Sequence, residues 1–315
     1  MEGLPSEKPV APFRAGFVAI VGRPNTGKST LLNAYLGQKV AIVSPRPQTT
    51  RTTLRGVLTL PQAQIVFLDT PGIHRPVHRL GEYMVAAATR TIEDGDVVVF
   101  LVDLTRPPGE EDHQIVGLLR EKARGAVILA LNKADAVADP EEAGRPYREM
   151  CVGGDGRPLY RAAITLSALQ GPGRQELLET ILSFLPESPP YYPEDFITDQ
   201  PLRVIAAELV REQVLHFTRQ EVPHAVAVIV EEFKERSEDL TYISATVYVE
   251  KDSQKKILLG KGGQMLKQIG QAARQEIEAF LGKRVYLDLW VKVRKNWRKD
   301  RRALRWLGYD LTRLG

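Results

Sequence analysis

Cysteine and long apolar runs are what this sequence has least of. Cys151 is the only cysteine among 315 residues, so an intramolecular disulfide is excluded and a reducing compartment is favoured. The longest apolar runs, such as Val97 to Val102, are far too short to cross a bilayer. The N-terminal stretch contains acidic residues and no apolar core, so we do not expect a secretory signal peptide.

The charge is unevenly distributed along the chain. The net charge is +4, but residues 251–315 contain 17 Lys and Arg against 6 Asp and Glu, which leaves the preceding residues acidic overall. Positive charge concentrated at one end favours a partner with a phosphate backbone, and the alternative is a basic tail that water alone solvates. The length of 315 residues predicts two domains, and 43% apolar residues with 26% charged residues are typical of soluble globular proteins.

The most specific local signal is the segment GRPNTGKST, which follows an apolar run at 16–21 and precedes a helix-like run at 31–36. A strand, a glycine-rich loop and a helix in this order predict a phosphate-binding loop. The glycines let the backbone approach a phosphate, and the amide groups and the helix N-terminus face the anion. Lys28 adds a positive charge for the β- and γ-phosphates, and the Ser29 hydroxyl is suited to Mg²⁺. The predicted loop consists of Gly22, Arg23, Pro24, Asn25, Thr26, Gly27, Lys28, Ser29 and Thr30.

Apolar strands and amphipathic helices alternate after this loop. The alternation predicts an α/β fold with a doubly wound, mostly parallel sheet. The polar, proline-broken residues 38–53 are expected to form a mobile loop that closes over a bound phosphate. The predicted strands are 54–60, 64–68, 97–102, 126–131 and 162–166, and the predicted helices are 82–92, 112–123, 141–150 and 174–185.

Polar motifs follow several of these strands, where ligands collect in doubly wound sheets. Asp69 can hold the hydration shell of Mg²⁺, and the Gly72 N–H can contact a γ-phosphate. Thr50 or Thr49 can offer a hydroxyl and a carbonyl to the metal when that phosphate is present. We therefore predict Ser29, Thr50 and Asp69 as metal ligands and Lys28, Thr50 and Gly72 as the catalytic set.

Two further motifs are suited to reading a guanine base. The Asp135 carboxylate accepts two hydrogen bonds, which matches the N1–H and the exocyclic amine of guanine, whereas adenine would leave it unpaired. The Ala168 N–H can reach the guanine carbonyl. With these motifs, the predicted nucleotide site also includes Asp69, Thr70, Pro71, Gly72, Asn132, Lys133, Asp135, Ser167, Ala168 and Leu169.

The motifs GRPNTGKST, QTTRTT, DTPG, NKAD and SAL together resemble those of the small translation-factor-like GTPases and, among these, the bacterial Era family. The resemblance implies GTP or GDP with Mg²⁺. Ras-type enzymes have a Gln that orients the attacking water at the position that Ile73 occupies here. The Ile73 side chain cannot form such a hydrogen bond, so the sequence identifies no general base. We therefore expect slow intrinsic hydrolysis. In related GTPases an Asn at the position of Asn25 binds a K⁺ that replaces the arginine finger. The alternative is that the Asn25 side chain only packs the loop.

Five prolines in residues 186–201 predict a stiff linker that separates two domain cores. The elements predicted beyond it follow the order α-β-β-α-α-β, with a G-x-x-G turn between two helices. This order resembles the α+β type II KH domain, whose loop clamps single-stranded nucleic acid. The predicted divisions are a flexible N-terminus at 1–13, a GTPase domain at 14–185, the linker, and a KH domain with a basic C-terminal segment at 202–315.

The basic segment RKNWRKDRRALR at 294–305 is predicted as a helix whose positive face contacts phosphates, while Trp297 stacks on a base. A solvated helix end is the alternative. The predicted RNA-binding residues are Gly260, Lys261, Gly262, Gly263, Lys267, Arg298, Lys299, Arg301 and Arg302.

The resemblance to the Era family covers both domains. It implies a monomeric, GTP-switched protein that binds the 3′ region of 16S rRNA and assists assembly of the small ribosomal subunit. It also implies a cytoplasmic location with peripheral association to the inner membrane. Two alternatives stay open: a GTPase whose basic domain binds acidic lipid, and an RNA-binding module with a decayed nucleotide site. The intact Lys28, Asp69 and Asp135 argue against the second.

Overall fold

The structure, a computed structural model, describes residues 12–46, 48–310 and 312. The expected flexible N-terminus at 1–13 lies outside this described part except for its last two residues. Across the described residues, no helix combines the length and the hydropathy that a bilayer crossing demands.

The first domain is built on one sheet. In the described chain its six strands are Arg14–Val21 (β1), Leu54–Leu60 (β2), Ala63–Asp69 (β3), Val97–Asp103 (β4), Ala126–Asn132 (β5) and Ala162–Thr165 (β6). Their order across the sheet is β2-β3-β1-β4-β5-β6. Only β2 and β3 pair antiparallel among these strands, which confirms a mostly parallel sheet. β3 and β4 are buried along their whole length, as expected for the inner strands of a sheet that is covered on both faces.

The helices of this domain connect the strands and cover the sheet. They are Lys28–Leu36 (α1), Arg79–Asp94 (α2), Glu110–Lys122 (α3), Pro140–Met150 (α4) and Arg174–Phe184 (α5). The sequence pattern predicted the last four with small shifts at their ends. α2 begins earlier than predicted because the His78 ring, at the N-cap, accepts a hydrogen bond from the Gly81 N–H at 3.3 Å.

The second domain has a smaller mixed sheet. Its strands are Ala227–Ser237 (β7), Leu240–Val249 (β8) and Arg284–Val293 (β9), in the order β7-β8-β9. β7 and β8 are antiparallel, whereas β8 and β9 are parallel. The helices are Leu202–Phe217 (α6), Val222–Ala225 (α7), Asp252–Leu259 (α8), Gln264–Leu281 (α9) and Arg301–Trp306 (α10). The predicted α-β-β-α-α-β order is confirmed, with α7 and α10 as short additions.

One face of the small sheet carries the core of the second domain. Ile205 and Val210 of α6 and Ile269 and Ile277 of α9 pack with Val247 of β8, and all five are buried. On both helices the apolar residues recur at helical spacing, so they share one face, and that face is the buried one. The two long helices therefore fix each other over the sheet.

The proline-rich stretch at 186–201 does not hold the two cores apart, so that expectation is wrong. Its aromatic residues Tyr192 and Phe196 pack on the apolar side chains of β2 and β3, and the Val57 N–H donates to a linker carbonyl at 2.7 Å. The prolines exclude a helix but leave these apolar side chains free to cover the sheet. The domains touch directly, because Ile42 of the first domain belongs to the apolar core of the second.

The basic segment also differs from its prediction. Only Arg301–Trp306 is helical, and the residues from 294 to 300 form turns or irregular structure. Trp297 is fully buried and donates its indole N–H to the Ala225 carbonyl at 2.9 Å. The expectation that Trp297 stacks on a base is therefore wrong. Burial of a large aromatic ring is favourable even within a basic run when its one polar atom finds an acceptor.

Candidate nucleotide-binding and nucleic-acid sites

Close backbone packing shapes the loop between β1 and α1. An ideal Cβ on Gly22 would lie 2.3 Å from a carbonyl oxygen of β4, and one on Gly27 would lie 2.5 Å from Asn132 Nδ2. Gly27 also has a φ of 100°, which disfavours any other residue. A Cβ on Gly72 would lie 2.5 Å from the backbone nitrogen of Pro24. Glycine at these three positions lets the loop approach the neighbouring strand ends.

Lys28 lies beneath this loop. Its Nζ donates to the Gly22 carbonyl at 3.2 Å and to the Arg23 carbonyl at 2.7 Å. Burial lowers the pKa of Lys28 to about 8, against the attraction of Asp69 and Glu111. A buried ammonium whose close neighbours are carbonyl oxygens gains most from an anion that approaches the loop.

Other predicted loop residues act through the backbone or hold the loop in shape. The Arg23 side chain turns away to Asp112, with Nε 3.2 Å from Oδ2, and to the Tyr147 hydroxyl at 3.2 Å. The Thr26 hydroxyl donates to the Arg23 carbonyl at 3.1 Å. The Thr70 hydroxyl ties the segment after β3 to β1, 2.8 Å from a backbone carbonyl. These contacts fix the position of the amide groups that line the loop.

The three predicted metal ligands meet at one point. Ser29 Oγ donates to Asp69 Oδ2 at 2.7 Å and lies 3.0 Å from Thr50 Oγ1, which is itself 3.4 Å from Asp69 Oδ2. Asp69 is fully buried, and burial raises the pKa of its carboxyl. Its other oxygen, Oδ1, has no hydrogen-bond partner within the described residues. A buried carboxylate oxygen without a partner beside two hydroxyls is a fitting donor set for Mg²⁺ or its bound water.

A cavity of about 610 Å³ opens above these groups and is within the size range of small-molecule sites. It joins the phosphate loop to the segment that contains Asp135 at the other end. Its lining includes Pro24, Asn25, Gly27, Lys28, Ser29, Thr30, Thr50, Gly72, Asn132, Lys133, Asp135, Ala168 and Leu169. The cavity therefore has the size for a nucleoside triphosphate, and the donor groups beneath it, including the unpaired oxygen of Asp69, suit Mg²⁺.

Asn132 joins the two ends of this cavity. Its Nδ2 donates to the Thr26 carbonyl at 2.7 Å, and its Oδ1 accepts the Ala168 N–H at 2.8 Å. Both contacts are buried, so the side chain holds the base end of the cavity against the phosphate loop. In this structure the Ala168 N–H, expected at a guanine carbonyl, is thus donated to Asn132.

The remaining base-side residues lie around the rim. Lys133 has a φ of 67°, and its Nζ contacts Asp103 Oδ2 at 2.6 Å. Burial opposes the charged form of Asp103, but hydrogen bonds from Lys133 and Thr105 outweigh it and hold the pKa below its usual range. Asp135 is exposed at the cavity. Ser167 is buried and caps the next turn by accepting the Gln170 N–H at 2.9 Å.

Ile73 is buried and turned away from solvent, and its N–H donates to the Gly22 carbonyl at 3.3 Å. The next residue, His74, was not predicted to matter. Its Nδ1 lies 2.9 Å from the Gly72 carbonyl and its Nε2 lies 2.8 Å from Gln48 Nε2. The ring therefore links the Gly72 turn to the loop that contains Thr50.

Asn25 has a φ of 65°, and its Nδ2 donates to the Pro45 carbonyl at 2.8 Å. The loop predicted at 38–53 thus reaches the phosphate loop through the Pro45 carbonyl. Arg106 was also missed, although it follows β4 at the ligand edge of the sheet and lines the cavity. Its place after a parallel strand was the signal that could have identified it.

The G-x-x-G turn of the second domain is open on its outer side. Gly260, Gly262 and Gly263 have φ values of 68°, 60° and 78°. An ideal Cβ on Gly262 or Gly263 would meet no atom within 4 Å in the described structure. Lys261 is exposed at the turn, and a groove of about 450 Å³ lined by Lys267 runs beside it. The turn is accessible to an extended polyanion.

The basic residues after β9 differ in how far they are available to a ligand. Arg298 pairs with Glu250, with Nε 3.0 Å from Oε2, and is only partly exposed. Arg301 and Arg302 line a cavity of about 380 Å³ that also contains Arg79 of α2. Lys299 is exposed. Arg301 and Arg302 therefore lie beside the first domain, and Arg298 is already paired with a carboxylate.

Comparisons with known proteins match both domains. Residues 17–133 match the family described as 50S ribosome-binding GTPase, and residues 221–298 match the KH domain. A protein of Caldanaerobacter subterraneus subsp. tengcongensis called GTPase Era is 49% identical over 304 residues, which are 96% of this chain and 99% of the relative.

Two solved structures are similar over nearly the whole chain. One is a crystal structure of Era in complex with MgGDPNP and nucleotides 1506–1542 of 16S ribosomal RNA, with a TM-score of 0.89, 42% identity and coverage of 95% of this chain and 100% of that chain. The other is a variant of Aquifex aeolicus Era bound to GDP·AlF4⁻, with the same TM-score of 0.89, identity of 42% and coverage of 95% and 100%. The fold predicted from the sequence is confirmed by these matches.

Because Asn132 bonds to two parts of the site, we predict that its removal destabilises the fold even without bound nucleotide. Asn132→Ala leaves the Thr26 carbonyl and the Ala168 N–H unpaired, so the free energy of unfolding should fall by about 2–4 kcal/mol in nucleotide-free protein. Asp135→Ala in the same loop is exposed and should change it by at most about 0.5 kcal/mol. Urea titration of both variants measures this, and equal stability of the two would contradict the bridging role.

Proposed function

Because the chain belongs to the Era family of GTPases, we propose that it is a Mg²⁺-dependent GTP switch that binds 16S rRNA near its 3′ end and assists maturation of the small ribosomal subunit. One observation carries this proposal. The phosphate cradle, by which we mean residues 22–30 with Thr50, Asp69 and Gly72, opens into a cavity with Asp135 at its rim, and the same chain has an open KH turn. The relative solved with MgGDPNP and 16S rRNA nucleotides supports the pairing of the two ligands.

Each residue of the cradle has a distinct task. When bound, Mg²⁺ neutralises charge on the phosphate oxygens of the nucleotide and helps to orient the terminal phosphoryl group. Ser29 and Thr50 offer hydroxyls and Asp69 offers its unpaired carboxylate oxygen to that ion. Lys28 and the backbone N–H of Gly72 stabilise negative charge on the terminal phosphate. These groups are already held in place, so little reorganisation precedes the reaction.

The attacking water has no side-chain base at the expected place, because Ile73 is apolar and buried. We propose that backbone groups or a bound partner orient the water, and that intrinsic hydrolysis is slow as a result. His74 is fixed between Gly72 and Gln48 and keeps the turn that carries the Gly72 N–H in register.

We also propose a monomer in the cytoplasm that associates peripherally with the inner membrane. Support comes from the resemblance to the Era family and from the basic residues 251–315, since such segments are attracted to anionic lipid. Binding to anionic vesicles is therefore included in the RNA experiment below.

K⁺ is proposed as a second cation beside Asn25. The side chain reaches the Pro45 carbonyl, so an amide oxygen and a backbone carbonyl oxygen can be brought to one point when the amide turns over. GTP turnover should be faster in K⁺ than in Na⁺, and Asn25→Ala should remove the difference. Steady-state rates in the two salts decide this. Equal turnover rates of wild-type protein in K⁺ and Na⁺ would contradict the K⁺ site, and Asn25 would then only pack the loop.

Guanine selection by Asp135 is tested by changing its hydrogen-bonding pattern. Asp135→Asn should weaken GTP binding and favour a xanthine nucleotide, because an amide suits the altered edge of that base. A lost charge-assisted pair corresponds to a change of about tenfold or more. Competition titrations with GTP, ATP and XTP measure the preference. An unchanged preference for GTP would contradict the assignment.

RNA recognition by the open turn is tested by placing negative charge on it. Lys261→Asp combined with Gly262→Asp should strongly lower affinity for single-stranded RNA, while Asp is one of the residues that tolerate the left-handed backbone at Gly262. GTP affinity is the control and should stay unchanged. Filter binding that shows undiminished RNA affinity would contradict the KH assignment.

The basic cluster makes a separable contribution. Neutralising Lys299, Arg301 and Arg302 should weaken all RNAs alike and reduce the salt dependence by about 0.7 in log–log slope for each lost single-strand contact. Arg298 is left intact because Glu250 already neutralises it. Binding to anionic vesicles with no binding to RNA would instead favour the lipid alternative.

A further inference from the structure

The loop beside the phosphate site is packed against the second domain. We call residues 39–46 and 48–51 the interdomain segment. Ile42 is buried in the core of the second domain, and the Val43 N–H donates to Glu212 Oε1 of α6 at 2.8 Å. Lys39 Nζ contacts Glu212 Oε2 at 2.6 Å. Arg51 donates to the carbonyls of α7 and of the residue that follows it. The segment therefore belongs to both domains.

Arg211 of α6 contacts the interdomain segment at Thr49, the residue before the predicted metal ligand Thr50. Its side chain is fully buried, and its Nη2 donates to the backbone carbonyl of Thr49. Glu208 fixes the guanidinium, with Oε1 2.9 Å from Nε. Glu208 accepts two hydrogen bonds from the guanidinium, one from Nε and one from Nη2. These two bonds hold the planar group in a single orientation toward Thr49.

The Thr49 carbonyl belongs to the same rigid peptide plane as the backbone nitrogen of Thr50. Thr50 Oγ1 lies 3.0 Å from Ser29 Oγ and 3.4 Å from Asp69 Oδ2. A guanidinium that holds this plane therefore also sets where the Thr50 hydroxyl can reach. The chain of contacts runs from Glu208 through Arg211 and the Thr49–Thr50 peptide to the predicted metal ligands Ser29 and Asp69.

We propose that Arg211 of the KH domain is a positioning residue for the nucleotide site, because it orients the Thr49–Thr50 peptide so that Thr50 can serve Mg²⁺ and the terminal phosphate. This inference rests on the proposed GTPase function. Thr50 matters only when the terminal phosphate is present, so Arg211 affects the GTP state and leaves the GDP state unchanged. The second domain thereby contributes to the nucleotide site without touching the nucleotide.

The test uses the full-length protein, Mg²⁺, GDP and a non-hydrolysable GTP analogue. Arg211→Lys keeps the charge but replaces the planar guanidinium fork with a single nitrogen, so Glu208 no longer fixes the direction of the donor toward Thr49. It should lower affinity for the GTP analogue about tenfold and change affinity for GDP less than twofold. In a Thr50→Ala background the same substitution should have no further effect, because the group that it positions is gone.

Lys39→Ala is the matched control. It breaks ion pairs across the same domain contact but lies far along the chain from Thr50, so it should leave the ratio of the two affinities unchanged. If Arg211→Lys weakens both nucleotides equally, or retains its effect in the Thr50→Ala background, Arg211 only holds the domains together and the proposal is wrong. Wild-type protein that binds neither nucleotide would instead contradict the proposed function.

A second variant keeps the proposal testable if Arg211→Lys does not fold. Glu208 is partly exposed, so Glu208→Gln should fold and should loosen the guanidinium without removing the bond to Thr49. It should lower affinity for the GTP analogue by a few-fold and leave affinity for GDP unchanged. Equal affinities for the analogue in Glu208→Gln and wild-type protein would contradict the proposed role of the fork.

Discussion

The packing of the interdomain segment between α1 and α6 is the constraint on which both domains depend. Toward the first domain, the backbone of Val40 and Ala41 is held by Asn33 of α1, and Thr50 reaches Ser29 and Asp69. Toward the second domain, Ile42 enters the apolar core. Removing the first set would leave polar groups unpaired, at a cost of about 1–3 kcal/mol for each buried group. Removing the second would expose the apolar Ile42 side chain to water. The loop that frames the phosphate site is therefore also part of the domain contact.

The phosphate site itself follows from the parallel sheet and from missing side chains. Parallel strands bring their carboxyl ends to one edge, so motifs far apart in the chain share one cavity. Glycine at 22, 27 and 72 lets three backbone segments approach more closely than any Cβ would allow. The charged groups of the cradle are buried, and this burial lowers the pKa of Lys28 and raises the pKa of Asp69. Desolvation of this kind strengthens each interaction with a bound anion.

Much of this arrangement could be predicted from the sequence, because its signals are local. The phosphate loop and the G-x-x-G turn combine an apolar pattern with glycine at fixed spacing, and the base-side motifs directly follow apolar strands. The failures concern long-range contacts. Trp297 lies in a basic run, and only the folded structure shows the Ala225 carbonyl that satisfies its indole. Likewise, no local pattern marks Arg211 as a neighbour of Thr49, since their contact joins residues of different domains.

Amide hydrogen exchange over residues 39–51 of the nucleotide-free, full-length protein tests the central claim that this segment is held by the second domain. The account predicts that the Val43 amide exchanges slowly in wild-type protein, since its N–H is bonded to the carboxylate of Glu212, whose side chain is buried. In a Glu212→Ala variant it should exchange much faster, while the amides of Val40 and Ala41, bonded to Asn33, stay protected. Exchange of the Val43 amide at the rate of an unstructured peptide in wild-type protein would contradict the account.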